Sequence, residues 1–254
     1  MKSTGEQILG AILKCSSPVR MFVCAVLLVF FSSINVHSQD AQLWLEVDGH
    51  KQLSKKWKYT GSPNSRSEAT SQGWTRIGLK NTFSRKIRPW LAAEGGLDVF
   101  YTSDPEGADI GELRFVLGGK VTLPKFIRAI HLEKPYCDLR VEQRFLWYPD
   151  DDKEDQKERL RLKVGGTFIL NNDKLVEKTY YMPWYGEGFH NFDGAAFEQN
   201  AAKYRFSLGI GYVINTKWRA EFEFIAQDSV DTLVHQFDRT DNIFQFKFQY
   251  YFDK

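Results

Sequence analysis

The chain is short of cysteine, of long apolar runs and of net charge, and each shortage excludes something. Of its 254 residues three are cysteines, and two of these, Cys15 and Cys24, fall in a leader-like N-terminal segment. Once that segment is removed Cys137 stands alone, no intrachain disulfide can form, and the fold has to close without staples. The apolar stretch from Met21 to Phe31 is shorter than the roughly 20 residues a spanning helix needs. Mean hydropathy is negative, which counts against helical spans but not against a membrane β-barrel, whose strands are half polar. The formal net charge of +2 falls to zero without the leader, with 31 basic against 31 acidic side chains, so nucleic acid has no electrostatic claim as a partner. No Pro/Ser-rich linker splits residues 39–254, which are expected to form one domain.

What is present begins with the leader. Lys14 and Arg20 precede the apolar run and Val36-His37-Ser38 follow it, the order of a secretory signal peptide, here 1–38 with cleavage after Ser38. A retained membrane anchor is the competing reading. Neither Cys15 nor Cys24 follows the Leu and small residues of a lipoprotein cleavage site, so a lipid anchor is not expected.

At the other end, Phe244, Phe246, Phe248, Tyr250 and Phe252 alternate with Gln245, Lys247 and Gln249. A two-residue period puts the rings on one face of a strand, which suits lipid outside and a polar lumen inside. The segment resembles the C-terminal assembly signal of outer-membrane barrels, which implies the barrel-assembly machinery as a partner. An edge strand of a soluble sandwich would also carry one buried face. The same alternation, punctuated by turn residues, predicts about ten strands near 42–53, 73–83, 87–101, 112–123, 136–148, 158–170, 177–189, 203–214, 218–227 and 243–252. Long polar connections (54–72, 102–111, 149–157, 190–202, 228–242) take turns with short ones (84–86, 171–176, 215–217). An antiparallel up-and-down transmembrane β-barrel is therefore expected, with an even number of strands and both ends of the chain on the short-turn side. Segment 124–135 is the exception, long where a short turn is expected, and is either a surface helix or extra strand.

A repeat runs through the chain. Arg114, Arg161 and Arg205 each precede by four residues a glycine on the same face (Gly118, Gly165, Gly209), and Arg76-Ile77-Gly78 is a weaker copy. Glycine is expected to give a bulky guanidinium room in a narrow lumen. Parity also groups Arg140, Glu142 and Arg144, then Arg159 and Arg161, then Glu221 and Glu223, opposite apolar neighbours. Turning an Arg or Lys to the lipid midplane costs roughly 2–4 kcal/mol, so these charges are expected inside, as a paired network that leaves at most a narrow passage. The seven tryptophans are read as interfacial girdles.

Several segments together resemble a known family. They are Leu43-Trp44-Leu45-Glu46, the Val141-Glu142-Gln143-Arg144-Phe145 strand, Glu158-Arg159-Leu160-Arg161-Leu162, the aromatic stretch from Thr179 to Glu187 and the glycine strand from Lys203 to Tyr212. They are similar to the uncharacterised family called domain of unknown function 2490, and the similarity extends over most of the mature chain. It implies an outer-membrane β-barrel and supplies no activity. Ala202-Lys203 stands where that family usually shows an Asn-Arg pair.

Chemistry-bearing motifs are few. His190-Asn-Phe-Asp193 and His235-Gln-Phe-Asp238 share a pattern in two external connections, and together they would offer two imidazoles and two carboxylates for a metal or an activated water. Solvated loop residues are the alternative. The acidic run from Asp150 to Asp155 lacks the spaced ligands and glycine of a calcium loop. No nucleophile elbow or phosphate-binding loop is present, and no cofactor is expected. Three readings follow. The first is a non-enzymatic outer-membrane barrel contacting lipid and lipopolysaccharide. The second is a barrel-embedded hydrolase using the His/Asp connections, and the third a soluble periplasmic carrier with an apolar interior.

Overall fold

Alternating polarity is satisfied by extended backbone with two unlike faces, and extended backbone needs a partner for every peptide group. The computed structural model describes residues 40–69, 73–105, 107–123, 132–150, 153–192, 202–231 and 236–252. Within these the chain forms strands β1 (Asp40–Gln52), β2 (Trp57–Glu68), β3 (Thr75–Arg88), β4 (Leu91–Ser103), β5 (Ile110–Thr122), β6 (Leu132–Tyr148), β7 (Lys153–Ile169), β8 (Tyr180–Asn191), β9 (Ala202–Val213), β10 (Trp218–Asp231) and β11 (Gln236–Tyr251). Consecutive strands pair antiparallel, and β1 closes on β11 to complete a barrel.

The all-β up-and-down barrel forms with one strand more than the about ten expected. That strand is β2, inside the stretch 54–72 that reads as a long polar connection. Its residues on the outward parity, Trp57, Tyr59, Gly61, Pro63, Ser65 and Ser67, are aromatic only at its start and include no aliphatic side chain, so hydropathy does not alternate along most of it. An odd number of alternating strands makes the closing pair parallel, and β1 and β11 run together from Asp40 opposite Asp241 to His50 opposite Tyr251. The start of β1 and the end of β11 therefore lie at opposite ends of the barrel, not at the same end as expected. The end where β1 starts also bears the β2–β3, β4–β5, β6–β7, β8–β9 and β10–β11 connections and is called the loop end below; the other is the turn end.

Two connections move. The turn expected at 84–86 lies at Pro89-Trp90, because β3 continues to Arg88. The long connections expected at 149–157 and 228–242 are largely strand, since β7 starts at Lys153 and β10 and β11 stay paired out to Asp231 and Gln236. Backbone pairing outlasts the alternation of hydropathy that advertises it. On the turn end, β6 starts at Leu132, so part of 124–135 is additional strand, and 124–131 lies outside the described residues.

The polarity of the barrel is the reverse of a soluble globule's. Leu43, Leu45, Leu79, Val99, Phe115, Val141, Leu162, Phe222, Phe246 and Phe248 point outward and are exposed, Leu117 by 73%. Glu46, Asp48, Glu94, Asp98, Glu112, Asp138, Glu142, Glu187 and Glu223 point inward and are buried. Trp57, Trp90, Trp147 and Trp218 lie exposed near strand ends. Trp44 does not: it faces the lumen and is buried with Tyr185, Ile225 and Ile243.

Candidate functional site: the charged lumen

The lumen is built from every second residue of each strand, and near the loop end these side chains link into one ring. Two carboxylates are its hubs. Glu112 on β5 meets Arg76 at 2.5 Å, Arg114 at 2.7 Å and Arg144 at 2.8 Å. Glu142 on β6 meets Arg159 at 2.5 Å, Arg114 at 3.4 Å and Arg161 at 3.8 Å. Arg114 thus bridges both hubs. The hub carboxylates are almost wholly covered, at 2% and 1% exposure, whereas their arginines keep 11–22%. A carboxylate buried so deeply holds its charge only if several donors replace its water, and three guanidinium groups apiece supply them.

The chain of contacts continues around the wall. Arg161 donates to Glu187 on β8, and Arg205 on β9 lies 3.6 Å from the same carboxylate. Arg205 also donates to Gln227 on β10, which donates to Asp241 on β11. Gln42 on β1 donates to Asp241 and accepts from the Trp44 indole at 2.9 Å. Arg66 on β2 lies over the Trp44 ring at 4.0 Å, and Arg76 and Arg114 lie over Phe100 of β4 at 4.2 and 4.8 Å. Phe189 of β8 carries Arg159 at 4.6 Å and Arg205 at 4.9 Å. All eleven strands contribute. A second group toward the turn end joins Arg140 to Asp138 and Glu94, and a third joins Lys247 to Asp48 and Glu46, with Lys80 also on Glu46.

The lumen residues expected from the sequence, Arg76, Arg114, Arg140, Glu142, Arg144, Arg159, Arg161 and Arg205, lie in this network. Glu221 and Glu223 also point inward, but their hydrogen-bond donors are hydroxyls, Tyr181 for Glu221 at 2.9 Å and Ser207 for Glu223 at 2.6 Å. The glycines make room, though for neighbours on the next strand. A Cβ on Gly118 would sit 2.8 Å from Cγ of Arg140 and 2.3 Å from the Leu139 carbonyl oxygen; one on Gly78 would sit 2.2 Å from the Phe100 ring. Phe244, Phe246 and Phe248 form the outward face of β11, and Phe252 follows its end.

His190 is exposed near the end of β8, on the outward parity beside Phe192. Asp193 and His235 lie outside the described residues, and Asp238 is described only by its backbone pairing with Ser229. Among the described residues no group of three metal-ligating side chains converges. Asp150 of the acidic run accepts a hydrogen bond from the Asp109 backbone, joining two loop-end connections. A hydrogen bond from the Tyr101 hydroxyl holds the Asp109 carboxyl below its ordinary pKa.

Sequence reading missed Arg66, because β2 was missed, and missed the lumen aromatics Trp44, Phe100 and Phe189. A signal for the aromatics existed. Trp44 shares parity with Gln42, Glu46 and Asp48, Phe100 with Asp98 and Glu94, and Phe189 with Glu187.

These features define a closed β-barrel with an apolar outer wall and an ionically cross-linked interior. The chain belongs to the family described as Protein of unknown function (DUF2490), whose family model matches residues 41–231. Comparison with curated proteins gives no match.

Proposed function

We propose that this protein is an integral outer-membrane β-barrel with a structural or binding role, its lumen too filled for bulk passage. The observation that carries the reading is the inverted polarity: apolar side chains exposed around the outer wall, carboxylates and guanidinium groups inside. In water such a wall would expose an apolar belt far larger than a soluble monomer tolerates. In lipid it is the expected surface. The same inversion argues against the soluble carrier, whose apolar residues would line the interior. The filled lumen rests on the buried Trp44, Tyr185, Ile225 and Ile243 together with the ring of ion pairs. Outer-membrane lipid and lipopolysaccharide would contact the outer wall, and the barrel-assembly machinery would take β11 as its signal.

The protein is expected to sediment with the outer membrane, to resist a carbonate wash and to migrate faster on a denaturing gel before boiling than after. A soluble monomer released by detergent-free lysis overturns the reading. In planar bilayers little conductance is expected; sustained ion flow would replace the filled lumen with a passage.

A further inference from the structure

Among the described residues the loop-end ring holds more guanidinium groups than carboxylates that engage them. Arg76, Arg114, Arg144, Arg159, Arg161 and Arg205 share ion pairs with Glu112, Glu142 and Glu187, Asp98 stands directly across the strand from Arg114, and Arg66 has no carboxylate in an ion pair. The surplus is concentrated at one point. Arg66 and Arg76 are direct cross-strand partners on the inward face of β2 and β3, a placement in which like charges repel. The charges that weigh most on Arg66 are those of Arg205, Arg76 and Arg114, with Glu46 the single carboxylate among them, and Glu46 already holds Lys80 at 2.5 Å. Among the described residues Arg66 contacts the Trp44 ring and has no hydrogen-bond acceptor. Arg76 gives one nitrogen to Glu112, while its Nε is buried without a partner.

We propose that the Arg66–Arg76 pair is a binding site for a small phosphate-type oxyanion that enters the lumen from the loop end. Each guanidinium lies over an aromatic ring, Arg66 over Trp44 at 4.0 Å and Arg76 over Phe100 at 4.2 Å, a contact that uses no N–H group and so leaves those of Arg66, and those of Arg76 not given to Glu112, able to donate. A tetrahedral oxyanion presents several acceptor oxygens at once and can engage both forks, which one carboxylate oxygen cannot. It would also cancel the repulsion between them. Access is short, because Arg66↔Arg76 is one register step inside Ser67↔Thr75, the last pair before the β2–β3 connection. A free solute is favoured over a lipid headgroup, since both side chains face the lumen and not the outer wall. The site rests on the inward orientation of these charges and not on the membrane reading, so the two can fail separately.

The test is calorimetric titration of inorganic phosphate into the purified protein in phosphate-free dodecyl maltoside, at ionic strength held constant with sodium chloride. Saturable one-site binding is expected, weakened by about tenfold or more in Arg66→Gln and in Arg76→Gln and unchanged in Lys174→Gln at the turn end. Should the arginine variants fail to fold, phenylglyoxal modification of the parent protein read by mass spectrometry serves instead, with phosphate expected to protect Arg66 where matched chloride does not. The proposal is overturned by heats no larger than those of chloride, by equal affinity in Arg66→Gln, by equal modification of Arg66 with and without phosphate, or by a response only to micelles containing phosphatidylglycerol.

Discussion

Strand β1 has two neighbours that differ on every count but one. β11 presents Phe244, Phe246 and Phe248 to the outside and pairs with β1 in an unbroken parallel register of eleven residues. β2 presents Trp57 and Tyr59 at its start and then Gly61, Pro63, Ser65 and Ser67, and its ladder with β1 runs from Gln42↔Glu68 to Glu46↔Asn64, breaks opposite Pro63, and resumes at Gly49↔Gly61. The break follows from proline, which has no N–H to give a ladder. What the two neighbours share is a tie to the buried Asp48, an ammonium from Lys247 at 3.2 Å on one side and the Ser62 hydroxyl at 2.6 Å on the other. Outward hydropathy and barrel closure are therefore separable. A strand can complete the wall through backbone pairing and lumen contacts while adding little to its apolar outer face.

The sharpest way to break the comparison is at the shared carboxylate. Lys247→Ala strips Asp48 of its cation and leaves Glu46 to Lys80, so a loss of about 3–5 kcal/mol is expected in chemical unfolding of the detergent-folded barrel. An unaltered denaturant midpoint would show that lumen water screens the pair. Next in size, an arginine on the aromatic face, Phe246→Arg, is expected to cost roughly 2–4 kcal/mol in lipid vesicles. The same residue placed on β2 as Ser65→Arg, also opposite Leu45 in the register, should cost clearly less, because it replaces a small polar side chain instead of a phenyl ring. Equal penalties would mean that β2 meets lipid as fully as β11 does. Ser62→Ala, which removes the hydroxyl from Asp48, is expected to cost about 1 kcal/mol by the same unfolding measurement. The smallest change is Pro63→Val. Restoring a ladder donor is worth about 0.5–1.5 kcal/mol, offset by the entropy that proline removes from the unfolded chain, so a net shift below about 1 kcal/mol is expected. Hydrogen exchange should nonetheless register a newly protected amide at that position.

Legibility along the chain followed the apolar outer face. β5, β9 and β11 are readable because Phe115 and Leu117, Phe206 and Ile210, and Phe244 and Phe246 alternate with polar residues on a two-residue period. β2 was not, for want of such a face, and with it went the parity of the strand count and the placement of the chain ends. The ends of β7, β10 and β11 were also hidden, since beyond the apolar belt their residues are mostly polar, without regular alternation, and only the hydrogen-bond ladder marks the strand. Within the lumen, charge at alternate positions announced Arg140, Glu142, Arg144, Arg159 and Arg161. Sequence could not say that Glu112 would be a hub, because that depends on Arg76 and Arg144 reaching it from strands two and one removed. Trp44 misled, its ring assigned to an interface when it serves as the surface on which Arg66 and Arg205 lie.

By itself the sequence determined that this is an all-β chain with one apolar and one charged face to nearly every strand, because side-chain period is a local property of extended backbone. Tertiary closure decided the rest. Which strand completes the ring, that the first and last strands run parallel, and which guanidinium is left facing another with no carboxylate between them are consequences of curling the sheet on itself, where residues far apart in the chain become neighbours across a narrow lumen.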